Sequence, residues 1–204
     1  PLPGRLQGLW EQVRGAVSGG FPYSEGLFED LNKVVVSQFY WDPARTAADT
    51  VQEYAAYAYG ADAAPQVLEM VGLIERNHVA VAREGRLSLG AAARAWSVAQ
   101  EVDAGLAPWA RASWRWRILY LRALLDWERY AALVGGPERP WAASAGDDYV
   151  PLDAARLGQG WGALLQGNAA ARAAFRELIA LYRCQERGAV APHTWVRPPL
   201  SEEG

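Results

Sequence analysis

The chain has 204 residues, a formal net charge of −3 and a hydrophobic share of 51%. That length buries roughly 70% of the surface of the unfolded chain, enough to hold a core without staples, and so apolar a composition excludes intrinsic disorder. The negative balance gives no field to hold a nucleic-acid backbone, no run approaches the ~20 apolar residues of a membrane span, and a single cysteine, Cys184, excludes an intrachain disulfide.

Helical periodicity dominates from the start. Apolar residues at 6, 9, 10, 13 and 17 form one face of a short helix, which the SGGFP run at 18–22 breaks. Residues 25–41 are apolar at 27, 28, 31, 34, 35, 36, 39, 40 and 41, the density of a helix buried on most sides. Within it the β-branched run Val34, Val35 and Val36 also fits a strand. Asp42 and Pro43 mark a turn. Thr46 with Asp49 forms a variant capping box, and the next helix stops at Gly60. Asp62 is expected to cap a following helix, with Pro65 in its first turn, that runs to about 83 and ends at Gly85. Further helices are expected over 90–102 and 109–134, the latter the longest. The stretch 135–151 is the only long loop and carries Trp141 and Tyr149; loops of that length are usually functional or disordered. Two helices follow, over about 153–165 and 169–187, before an extended, Pro-rich end. The fold class is therefore all-α, an antiparallel multi-helix bundle or layered helical domain.

The run GFPYSEGLFEDLNK at 20–33 carries the most chemistry. A Gly-Pro loop delivers Tyr23, Ser24 and Glu25 to the start of a buried helix, whose free N–H groups hold polar ligands. Tyr23 offers a ring for sugar stacking, Glu25 accepts from sugar hydroxyls, and Glu29 with Asp30 resembles a glycosidase carboxylate pair. A plain structural account also fits: Ser24 is an N-cap and the acids favour the first turns.

The runs YSEGLFEDLNK at 23–33, QFYWDP at 38–43, EYAAY at 53–57 and YG at 59–60 resemble the end of a sugar-cleaving barrel. They are similar to the last strand and following helices of uncharacterised bacterial glycoside hydrolase-like proteins, near the β-hexosaminidase and α-glucuronidase type of (β/α)8 enzymes. The runs SWRWRILYLRALLD at 113–126, FRELIALY at 175–182 and WVRPP at 195–199 resemble the helical domain that follows such barrels. The resemblance implies the end of a truncated barrel over 1–43 and a C-terminal helical domain over 44–204. It implies that Tyr23, Ser24 and Glu25 are a minor part of a sugar site at the C-terminal end of the last strand. The catalytic carboxylates would come from earlier strands outside this sequence, so the chain alone is not expected to be catalytic, and its partner is a carbohydrate held through the parent protein. The opening PLPG without Met agrees with a segment cut from a longer polypeptide, and residues up to about 18 are then expected to be poorly anchored. The alternative is a self-standing helical interaction or scaffolding module.

Other candidates read as structural. Tyr54, Tyr57, Trp96, Trp109, Trp116, Tyr120 and Trp127 lie in amphipathic helices and are expected in the core. Trp141 and Tyr149 are better placed to meet a ligand or partner. Arg111, Arg115, Arg122, Asp126 and Arg129 read as one salt-bridged, exposed helix face, the alternative being a bidentate clamp on the neighbouring barrel segment. Cys184 reads as a small buried hydrophobe. His78 and His193 lack a neighbour at ligand spacing, Asp147 and Asp148 lack an EF-hand frame, and no cofactor motif is present, so no metal or cofactor is expected.

Overall fold

The computed structural model describes residues 1–20, 28–134, 149–152 and 160–186. It is an all-α protein: α1 (Pro3–Val13), α2 (Asp30–Trp41), α3 (Ala47–Tyr59), a 3-10 turn (Ala61–Ala63), α4 (Ala64–Glu84), α5 (Leu89–Gly105), a short α6 (Pro108–Arg111), α7 (Trp114–Val134), α8 (Gly160–Gly167) and α9 (Ala169–Glu186). Two three-residue strands, β1 (Arg86–Ser88) and β2 (Tyr149–Pro151), pair antiparallel with Leu87 opposite Val150. No barrel strand is seen among the described residues. Val34, Val35 and Val36 are helical, because α2 places Leu31, Val35 and Phe39 on one stripe, each at most 3% exposed.

Helix ends follow local chemistry. The Thr46 hydroxyl oxygen accepts from the Asp49 backbone N–H at 3.1 Å and the hydroxyl donates to the Asp49 carboxylate at 2.6 Å, closing the expected box. Gly60 stops α3 at φ 106° and Gly85 ends α4 in the left-handed region at φ 59°, backbone that a side chain would strain. Asp62 does not cap α4. The chain enters that helix through the 3-10 turn, so the preceding residue is Ala63 and no side chain caps it. The expected long helix over 109–134 is broken at Ala112 and Ser113. There Arg111 turns back, donating to the carbonyls of Asp103 and Ala104 at 2.7 and 3.0 Å and so satisfying the open end of α5.

The main core joins Trp10 of α1, Leu31, Val35 and Phe39 of α2, Val51 and Ala55 of α3, Val67, Met70 and Leu73 of α4, Val98 of α5 and Trp116 of α7. A second cluster seats α7 against α9 through Ile118, Leu121, Leu125, Ala174 and Leu178. A third gathers Leu87, Leu89, Ala92, Tyr130 and Ala131 beside β1. Asn77, buried in α4, holds β1 by donating to the Ser88 carbonyl and accepting from its N–H, at 2.8 and 2.9 Å.

Helix α1 is better anchored than its sequence implies. Trp10 stacks on Phe39 with ring centroids 5.4 Å apart and donates to the Pro43 carbonyl at 3.3 Å. At the other end the Glu75 carboxylate of α4 accepts from the N–H groups of Gly4 and Arg5 at 2.8 and 2.7 Å. An anion there meets both the orphan donors and the positive helix end.

Two expected core aromatics face solvent. Tyr57 is 90% exposed because it lies opposite the buried stripe of Val51, Ala55 and Tyr59. Trp109 is 66% exposed because α6 is too short to bury more than Ala110. Trp116 is fully buried, while Tyr54, Trp96, Tyr120 and Trp127 are partly buried against the clusters.

Candidate functional site

The start of α2, the middle of α4 and the middle of α7 converge on a cavity of about 220 Å³, lined by Pro1, Leu2, Phe28, Glu29, Asn32, His78 and Arg122. Helical spacing explains the convergence. Glu29 and Asn32 are three apart at the entry to α2, while Arg122 and Asp126 are four apart on α7, so each pair shares a face.

Arg122 organises the floor. Its Nε donates to Asp126 Oδ2 at 2.7 Å, Nη2 lies 3.5 Å from His78 Nδ1, and the guanidinium sits 5.1 Å from the Phe28 ring centre. The pair is largely removed from water, with side chains 16% and 7% exposed. Burial works against the guanidinium, but the charge and hydrogen bond of Asp126 outweigh it and hold Arg122 above its ordinary pKa. The expected exposed face of arginines is thus corrected. Arg111 is off register in α6, Arg115 reaches α2, and Arg122 with Asp126 forms a buried pair, because Leu121 and Leu125 beside them turn that part of α7 inward. Tyr130 is buried beside the pair, and desolvation followed by the Asp126 charge raises its pKa.

His78 is half-buried. Desolvation first, and the Arg122 charge second, lower its pKa, favouring the neutral imidazole. With Nδ1 turned to a guanidinium N–H, the neutral ring carries its proton on Nε2. Asn32 accepts from the Leu2 N–H at 2.8 Å through Oδ1. Glu29 keeps a buried carboxylate oxygen, Oε2, without a hydrogen-bond partner; its nearest cation is the Lys33 ammonium at 3.8 Å.

Glu29 and Asp30, read from sequence as neighbouring carboxylates, are separated by the helix. Successive residues diverge by about 100°. Glu29 lines the cavity, whereas Asp30 Oδ2 accepts from the Tyr54 hydroxyl at 2.5 Å and from Arg115 Nε at 3.0 Å. They do not form an acid–base pair. Burial raises the pKa of Tyr54 and of Tyr59, so both hydroxyls stay protonated, and that of Tyr54 donates to Asp30.

Both charged side chains that line the cavity have a counter-charge: Arg122 has Asp126 and Glu29 has Lys33. The arrangement offers a carboxylate acceptor and donors from Asn32 and His78. Among the described residues no group of three His, Cys, Asp or Glu could hold a metal, and no helix is long and apolar enough to cross a membrane.

Tyr23, Ser24 and Glu25 lie outside the described residues, which resume at Phe28 in the cavity wall. Trp141, Asp147, Asp148, His193 and the Cys184 side chain also lie outside them. Tyr149 is in β2, with the Arg86 guanidinium 4.6 Å from its ring centre. Phe28 and Asn32 lie within the 20–33 run but nothing in it marks them out, His78 stands alone in sequence, and their meeting is a product of tertiary packing. No protein-family model, curated protein or solved structure matches this chain.

Proposed function

We propose that this chain is the C-terminal helical part of a glycoside hydrolase-like, carbohydrate-active protein, supporting a sugar site whose main catalytic groups lie outside it. The observation that carries this reading is the firm seating of the start of α2 beside the polar cavity. Asp30 is gripped by Tyr54 and Arg115, while Leu31 and Val35 anchor the next turns in the core. The start of α2 is thus a rigid element, of the kind on which positioned ligand groups are built. The resemblance of that segment to the end of a barrel's last strand assigns Tyr23, Ser24 and Glu25 to sugar contact. Glu29, Asn32 and His78 add hydrogen-bonding groups in the cavity beside the start of α2.

The test compares Tyr23→Ala, Ser24→Ala and Glu25→Gln in the intact parent protein, measuring thermal stability and oligosaccharide affinity on the same samples. Weakened affinity at unchanged stability for Tyr23→Ala and Glu25→Gln is expected. A pure capping role predicts instead that Ser24→Ala costs about 1 kcal/mol of stability, that Glu25→Gln is silent, and that affinity is untouched. The purified 204-residue chain is expected to turn over no chromogenic glycoside. Turnover abolished by Glu25→Gln would place the chemistry in this chain after all.

A further inference from the structure

A second concavity, of about 590 Å³, runs between α1 and α4 and shares no polar group with the sugar reading. Its lining includes Gly8, Leu9, Val79 and Ala80, and Val13 extends the wall by one more turn of α1. Leu9 and Val13 are 47% and 44% exposed, an apolar stripe left open among the described residues. Four arginines also line it, Arg5, Arg76, Arg83 and Arg86, against two carboxylates. Both carboxylates are already engaged: Glu75 by the α1 N–H groups and Glu84 by Arg86. Among the described residues Arg5, Arg76 and Arg83 form no ion pair, while the other groove arginine does.

We infer that this groove docks an acidic amphipathic helix of a partner polypeptide. Charge complementarity selects an anionic occupant, since the four arginines outnumber the two carboxylates and three of them, which form no ion pair among the described residues, flank an apolar stripe. The apolar floor selects side chains over sugar rings, because the one aromatic face among the described lining residues, Tyr149, is already covered by Arg86. Arg76 and Arg83 stand seven residues apart on α4, about 10 Å along its axis. Two carboxylates seven residues apart on a docked helix have the same spacing, and leucines between them would lie against Leu9, Val13 and Ala80 in the helix-in-groove mode.

The experiment uses the full chain and a fluorescein-labelled helical peptide of about 18 residues. The peptide carries a leucine stripe flanked by Glu at seven-residue spacing, and its control has Gln at those positions. Anisotropy is expected to show binding of the Glu peptide that weakens with salt, with the Gln peptide at least about tenfold weaker. Arg76→Glu/Arg83→Glu is expected to lower affinity for the Glu peptide by about tenfold or more at an unchanged melting temperature. Gly8→Phe is a second, uncharged probe: a Cβ at Gly8 meets nothing within 4 Å, so the ring enters the groove without disturbing the core. It too is expected to block the peptide. Equal binding of both peptides, or indifference to both variants, would overturn the inference. So would an oligogalacturonate that binds in an Arg83-dependent way while the Glu peptide does not, since that makes the groove an acidic-glycan site.

Discussion

Arg122 and Asp126 are a pair whose worth depends on being kept together. Both are largely buried, so removing one leaves the other's charge without compensation. Asp126→Ala is expected to cost about 3–5 kcal/mol in denaturant melts. The double variant Arg122→Met/Asp126→Leu is expected to cost clearly less, because it removes both charges and fills the space. A double variant worse than the single would mean that the pair also serves the cavity wall. His78 adds a pH dependence of known sign. Its folded-state pKa lies below the ordinary 6.5, so as pH falls the unfolded chain takes up the proton first. Its contribution is complete above pH 6.5 and is lost below it, down through the folded value. The charged groups acting on it are Arg122 and Asp126, then the Pro1 amine, whose own pKa burial lowers to about 5, and Arg5. Melting temperature is expected to fall between pH 7 and 5, less steeply in His78→Asn; identical slopes would remove the imidazole from the account. Neither feature was legible as such in the sequence. The i,i+4 spacing of Arg122 and Asp126 is visible there, but only packing distinguishes a buried pair from a solvated one. Tyr57 and Trp109 make the same point in reverse, as aromatics within helical patterns that fall outside the buried stripe.

Elements were more legible than contacts, and the reasons are local. The Thr46–Asp49 box and the Gly60 and Gly85 stops are encoded within a few residues, so capping rules locate them. The pairing of β1 with β2 joins residues more than sixty positions apart, and strands of three residues have no readable period. The break between α6 and α7 rests on Arg111 bonding carbonyls at the end of another helix, which no window around Arg111 contains. Likewise α1 is fixed by Glu75 and Phe39, distant in sequence, so its anchoring could not be read from its own weak face. Trp10→Ala is expected to cost about 3 kcal/mol. It should raise amide exchange in α1 well above that of α4, because the stacking and the Pro43 hydrogen bond are lost together. Unchanged exchange in α1 would show that the Glu75 cap alone is sufficient.

At the scale of the whole molecule the decisive question is whether the turn at residue 43 divides two separable parts. The resemblance assigns residues 1–43 to the end of a barrel and the remainder to a helical domain. In the structure the main core draws on both sides of that turn, with Leu31, Val35 and Phe39 of α2 packed in one cluster with Val51, Val67 and Trp116. Full burial of one such side chain contributes about 1.5–3 kcal/mol, so removing these three forfeits roughly 4.5–9 kcal/mol. That is comparable to the whole stability of an ordinary domain, about 5–15 kcal/mol. It would also bare the apolar faces of α3 and α4 that α1 and α2 cover. A chain of residues 44–204 alone is therefore expected to keep helical far-UV dichroism but lose its cooperative melt, with exposed apolar surface that binds a hydrophobic dye. Adding residues 1–43 as a separate peptide should restore part of the transition if the lost contacts are the cause. A cooperative melt of residues 44–204 within a few degrees of the full chain would instead establish the turn as a domain boundary. Helices α1 and α2 would then be a detachable graft rather than part of the core that holds the cavity.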